Sequence, residues 1–195
     1  QVKIDAVKNL KVWVSDYLEE CDDVGKAQLA KEFVKFNERC MILLLGDMRS
    51  YNYVIVITQD FDRVQYRIRA IDFDQQCYEG NPKVYKPQFL KENNAYVEMT
   101  LNVLAKESIE QYEKEERSLL AKRATSEHER LDDLVKCMKA DTISTPDKIN
   151  ELRAALFKLT KDVNFKKSKN MGELLSNGLD FITRNYVNEN PYLIK

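Results

Sequence analysis

Apolar positions along this chain follow helical spacing almost everywhere, and the period changes in one region only. Ala6, Leu10, Trp13, Tyr17 and Cys21 recur at steps of three and four, which predicts an amphipathic helix over 5–21. Ala27, Ala30, Phe33, Asn37, Cys40 and Leu44 repeat the pattern over 25–44. That second helix runs into the wholly apolar stretch MILLL, 41–45, as a helix entering a core would. The polar stretch GDMRSYN, 46–52, follows, and then the period becomes two. YVIVIT and VQYRIRAI are rich in β-branched and aromatic residues. The second alternates Val64, Tyr66, Ile68 and Ala70 against Gln65, Arg67 and Arg69. QDFDR between them is a short polar connection, with Asp60 and Asp62 as turn residues, so 53–58 and 64–71 are expected to pair as an antiparallel hairpin.

Beyond residue 75 the strand signal stops. EGNPKVYKPQF carries two prolines and a glycine and reads as loop. Helical spacing resumes over 88–104 through Phe89, Tyr96, Met99 and Val103. It continues over 107–139 as one helix or two, because the apolar stripe fails across SEHER. Thr145-Pro146 is an N-cap and first-turn pair that opens a helix to about Leu159. KDVNFKKSKN reads as a basic loop and 171–187 as a final helix. There is no internal repeat and no low-complexity tract. The expected fold class is mainly α with a small antiparallel β-hairpin. It forms a single domain over 1–195, with a core at 25–75 and a helical remainder at 88–190.

Composition narrows the functional classes. At 195 residues the chain can bury a proper core. Its 31 basic and 32 acidic residues nearly cancel. That leaves no electrostatic footprint for nucleic acid or an anionic membrane. No apolar run approaches the ~20 residues that span a bilayer, and no signal-peptide pattern opens the sequence. Cys21, Cys40, Cys77 and Cys137 are scattered, without a CxxC pair or a nearby histidine cluster. They are expected to be separate thiols in a reducing, cytoplasmic setting. The first residue is Gln, so the chain is expected to be a fragment of a longer protein.

The chemistry-bearing residues gather at the two ends of the hairpin. GDMRSYN places Asp47, Arg49 and Asn52 before its first strand, and IDFD places Asp72 and Asp74 after its second. A hairpin brings its ends together, so Asn52 and Asp72 are expected side by side, with Asp47 across the loop. Two oxygen donors beside a separate carboxylate suit magnesium-dependent phosphoryl transfer. Mg²⁺ takes few protein ligands, and a nearby carboxylate can accept the proton of an attacking hydroxyl. The plain alternative is turn chemistry, in which these residues only cap local backbone.

GDMRSYN followed by IDFD resembles the catalytic loop and metal loop of protein-kinase-like phosphotransferases, in the form found in aminoglycoside phosphotransferases and choline kinases. The resemblance covers 25–75, and the helical remainder is compatible with the larger lobe of that family. It implies a kinase-like C-terminal lobe in which Asp47 is the base and Arg49 the charge stabiliser. Asn52 and Asp72 are then the ligands of Mg²⁺ and its ATP, with Asp74 as a further metal contact. Leu45 stands where the family has a histidine. No Gly-rich loop and no strand lysine for the phosphates precede Asp47, so the nucleotide-binding N-terminal lobe is expected upstream or on another chain, the third alternative being a kinase-like module that has lost catalysis. The implied partners are a nucleotide and a small-molecule or protein hydroxyl substrate, with no nucleic acid and no membrane. The competing class is a non-catalytic helical interaction module or pseudokinase. His128, the only histidine, lies in a charged helical stretch, which leaves no histidine triad or cluster. Tyr78, Tyr85 and Lys86 follow the metal loop, where aromatic packing is the simpler role. Lys161, Lys166, Lys167 and Lys169 read as a solvated loop.

Overall fold

The computed structural model describes residues 21–60 and 63–188. Apart from Cys21, the helix expected over 5–21 lies outside them, as does Asp62. The fold is mainly helical with a two-stranded antiparallel sheet. Helix α1 is Asp23–Ile42, and strands β1 (Tyr53–Asp60) and β2 (Arg63–Ala70) follow it. Three 3-10 turns, Pro82–Tyr85, Pro87–Phe89 and Lys91–Asn93, lead into α2 (Asn94–Val103). Then come α3 (Lys106–Ser126), α4 (His128–Ala140), α5 (Pro146–Thr160), the short α6 (Asn164–Lys167) and α7 (Met171–Tyr186).

Local sequence explains the boundaries. Asp22 caps α1 by accepting the Gly25 N–H at 2.7 Å. Thr145 caps α5 with Pro146 at its first position, as the sequence predicts. The predicted failure of the apolar stripe at SEHER is a real break, since α3 ends at Ser126 and α4 begins at His128. Several expectations need correction. The helix expected over 88–104 opens only at Asn94, because 3-10 turns occupy Pro87–Phe89 and Lys91–Asn93. The basic stretch 161–170 is not all loop, because Asn164–Lys167 forms a helical turn that buries Phe165. The polar connection between the strands is shorter than QDFDR, because pairing continues to Asp60 opposite Arg63.

Helix α1 is the central element and borders two hydrophobic clusters. Leu29, Phe33, Phe36 and Cys40 pack with Tyr53, Ile68 and Tyr96 under the hairpin and α2. Met41 joins the second cluster, built by α3 to α7. In β2 the predicted alternation holds for Tyr66 and Ile68, which are buried, while Arg67 and Arg69 face out. Val64 is exposed instead of buried. Leu45 is buried in the cluster under the hairpin. All four cysteines are free. Burial pushes the Cys40 and Cys77 thiols up, that of Cys77 to about 12, so both are inert packing groups near neutrality. Among the described residues no helix is long and apolar enough to cross a membrane.

A row of ion pairs locks α1 to α3. Lys35 meets Glu115 at 2.9 Å, Arg39 meets Glu116 at 2.8 Å, and Arg117 meets Glu38 at 2.8 Å. All three carboxylates are buried, so removing Arg39 or Arg117 leaves Glu116 or Glu38 uncompensated, whereas Glu115 is also met by Lys31 at 3.4 Å. Burial pushes the Glu115 carboxyl up, but Lys35 and Lys31 outweigh it and hold it below the usual glutamate range. A group with a depressed folded value stabilises the fold above its unfolded value. That stabilisation disappears as pH falls through the folded value. Glu115→Gln is therefore expected to lower the melting temperature at neutral pH and to cost progressively less as the pH approaches ~3. Thermal melts of both proteins across that range check it, and an equal deficit at every pH would exclude the linkage.

Candidate functional site

The turn after α1 is built on strained backbone. Leu43 and Leu45 donate their N–H groups to Arg39 and Cys40, which ends the helix with Leu44 in the left-handed conformation (φ 51°) usually left to glycine. Three residues on, Asp47 is left-handed again at φ 53°. Such conformations cost an L-residue roughly 1–2 kcal/mol and persist where surrounding contacts over-determine them.

Those contacts join the two polar turns. The Cys77 N–H donates to the Leu44 carbonyl at 2.9 Å, and Gln76 Nε2 donates to the Leu43 carbonyl at 3.0 Å. Gly46 permits the approach, because a Cβ there would lie 2.6 Å from the Gln75 carbonyl oxygen. At the mouth of the hairpin the Ile71 N–H donates to the Asn52 carbonyl at 3.0 Å, one step beyond the Tyr53–Ala70 pair. The segment with Asp47, Arg49 and Asn52 therefore lies against the segment with Asp72 and Asp74.

Within the turn the side chains fix one another. Asn52 is buried and donates Nδ2 to the Asp47 backbone carbonyl at 2.7 Å, with a longer contact of 3.4 Å to Asp47 Oδ2. Its amide oxygen accepts no hydrogen bond from the described residues. Asp47 Oδ1 pairs with Arg49 Nε at 2.8 Å, and Arg49 Nη1 reaches the Tyr51 hydroxyl at 3.0 Å. The Tyr51 hydroxyl first, and then Asp47, raise the pKa of Arg49. Asp72 Oδ1 accepts the Asp74 N–H at 3.2 Å, an Asx turn that leaves Oδ2 open, and Asp74 itself is exposed. Among the described residues no group of three or more His, Cys, Asp or Glu is placed to hold a metal ion. Asn52 and Asp72 are thus neighbours through the backbone, and no hydrogen bond joins their side chains.

One residue outside both motifs positions the turn. Asn93 is fully buried and donates Nδ2 to the Met48 carbonyl at 2.9 Å and to the Pro87 carbonyl at 2.8 Å. Its Oδ1 accepts the Tyr53 hydroxyl at 2.8 Å. Nothing in KENNAY distinguishes it by sequence, since its partners lie up to 45 residues away. His128 is exposed, as expected. Tyr85 is buried, with its hydroxyl donating to the Glu79 carbonyl at 2.6 Å and accepting the Glu79 N–H at 2.8 Å. Lys148 lies over the Tyr78 ring. Comparison with protein-family models, curated proteins and solved structures finds no match to this chain.

Two stability outcomes follow from this geometry. Asn93→Ala removes the partner of three buried groups at about 1–3 kcal/mol each, so it is expected to destabilise the fold by at least ~2 kcal/mol in urea unfolding. A change below half that value would show that the clamp is not structural. Asp47→Gly relieves the left-handed strain and is expected to melt at or above the wild type. Asp47→Val, which is β-branched at positive φ, is expected to lose about 2 kcal/mol. Equal melting of the two variants would contradict strain at this position.

Proposed function

We propose that this chain is the catalytic half of an ATP- and Mg²⁺-dependent phosphotransferase acting on a hydroxyl acceptor, in a kinase-like C-terminal lobe. The observation that carries the reading is the Asn52 amide. Its nitrogen is committed to the Asp47 carbonyl at 2.7 Å, which leaves its oxygen available as a metal donor and fixes the loop that holds Asp47.

The donor set fits the ion. Mg²⁺ takes one or two protein oxygens beside phosphates and water, and Asn52 Oδ1 and Asp72 Oδ2 are two such oxygens at the adjoining ends of the hairpin. Bound there with ATP, the ion would neutralise phosphate charge. Asp74, on the exposed side of the Asx turn, would supply a further contact. Asp47 would accept the proton of the acceptor hydroxyl. Arg49, exposed beside it, would place a cation on the oxygens of the transferred group. The left-handed backbone at Asp47 supports the reading, since strain of this kind gathers at functional sites. A nucleotide-binding lobe would have to come from elsewhere.

One observation favours the second reading, a non-catalytic interaction module. Asp72 Oδ1 is already engaged by its own turn, and among the described residues no group of three or more His, Cys, Asp or Glu is placed to hold a metal ion. The two readings separate in the full-length protein. Asp47→Asn is expected to leave folding and Mg²⁺–nucleotide binding nearly unchanged while lowering single-turnover phosphotransfer by ~10²–10⁴-fold. Asn52→Leu is expected to remove nucleotide binding. If the wild type neither binds nucleotide nor turns over, the module takes the place of the enzyme.

A further inference from the structure

We infer that the outer edge of β1 is a dimerisation edge, on which β1 of a second copy of this chain adds as an antiparallel strand about a two-fold axis at Val56. The inference is independent of the phosphotransfer reading and starts from the parity of the ladder. The strands pair one to one from Tyr53 opposite Ala70 to Asp60 opposite Arg63, without a bulge. One step beyond, the Ile71 N–H donates to the Asn52 carbonyl at 3.0 Å, so that pair is a hydrogen-bonded one. Bonded and non-bonded pairs alternate along an antiparallel ladder. Val54, Val56 and Thr58 therefore spend their backbone groups on β2, while Ile55 and Ile57 point theirs away from it.

The two edges of the sheet are treated differently. β2 packs against α1, and Arg39 Nη1 donates to the outward carbonyl of Ile68 at 2.9 Å. That strand also carries Arg63, Arg67 and Arg69. A covered, charged edge is protected against another strand. β1 has no such protection. Tyr53 is fully buried, which closes the start of the strand. From Val54 to Gln59, however, there is no charged residue, no proline and no bulge. Among the described residues, no side chain and no backbone segment bonds to the outward N–H and C=O groups of Ile55 and Ile57. An uncharged, β-branched edge of this kind accepts an added strand.

The sequence of the edge makes it complementary to itself. Antiparallel self-pairing about Val56 sets Ile55 opposite Ile57 of the second copy, Val56 opposite Val56, and Val54 opposite Thr58. Every pair joins two β-branched residues on one face, and no charge meets its like. Ile55 and Ile57 both fall at bonded positions, so each exchanges N–H and C=O with the other copy. An axis at Ile57 instead sets Asp60 opposite Val54. The contact is isologous and closes on itself, because the enlarged sheet, in the order β2-β1-β1-β2, ends on the two edges that α1 already covers. Pairing confined to 54–58 buries less than the ~800 Å² per partner of a standard interface, so the dimer is a transient one.

Amide exchange and sedimentation of the whole chain, from dilute to concentrated solution, test the assignment. In the dilute monomer the Val54 and Val56 amides should be protected and those of Ile55 and Ile57 open. As the mass rises toward that of a dimer, exchange at Ile55 and Ile57 should slow by about tenfold or more. Val56→Cys should form disulfide-linked dimers on oxidation, because facing residues of a non-bonded pair have Cα atoms only ~4.5 Å apart. Thr58→Cys, displaced along the strand from its own copy, should cross-link no more than the wild type with its exposed Cys137. Ile57→Pro removes an outward N–H and no ladder bond, so it should fold and stay monomeric. Exchange and cross-linking decide the matter even where that variant fails to fold. A chain that is monomeric at every concentration overturns the proposal. So does protection of Ile55 and Ile57 in the dilute monomer, since the chain itself then covers the edge. A dimer that leaves those amides open, or that survives Ile57→Pro, overturns it as well. Preferential cross-linking through Thr58→Cys overturns the register.

Discussion

Asn93 holds three parts of the molecule with one side chain. It donates to the backbone after Asp47 and to the first residue of the Pro87–Phe89 3-10 turn, and it accepts from a tyrosine at the first position of the hairpin. Each of those groups is an obligatory hydrogen-bonding group buried away from water, so each must be met from within the protein. An amide side chain can serve them together because it carries two donors and an acceptor in one plane. The consequence reaches the candidate site directly. The Met48 carbonyl is one residue from Asp47, so the clamp acts directly beside the left-handed residue of the turn.

The same economy of polar groups holds the helices. Helices α1 and α3 meet through three ion pairs whose carboxylates are buried, instead of through a purely apolar seam. Arg39 also donates to the Ile68 carbonyl at 2.9 Å, so the seam extends to the hairpin. Charged pairs of this kind fix register, because a slip of one turn would strand a buried charge. Helix α1 is thus aligned at once against α3, against β2 and, through its last turn, against the segment that carries Asp72. The Asp47 turn inherits its position from that alignment.

Periodicity in the sequence determined the elements: the long α1, the hairpin, the break after Ser126 and the Thr145-Pro146 start of α5. Each rests on local physics, namely side-chain spacing, turn residues and capping. The spacing also singled out Asp47, Arg49, Asn52 and Asp72, since residues at the two ends of a hairpin must be neighbours. Only the tertiary structure decided how those side chains are used. The Asn52 nitrogen turns to the Asp47 carbonyl, Arg49 folds back on Asp47, and Asp72 caps its own turn. The burial of Glu38, Glu115 and Glu116, which a charge-rich sequence suggests are solvated, depends on lysines and arginines on an opposing helix. The role of Asn93 was invisible for the same reason: it is set by groups far away along the chain, which no local pattern encodes.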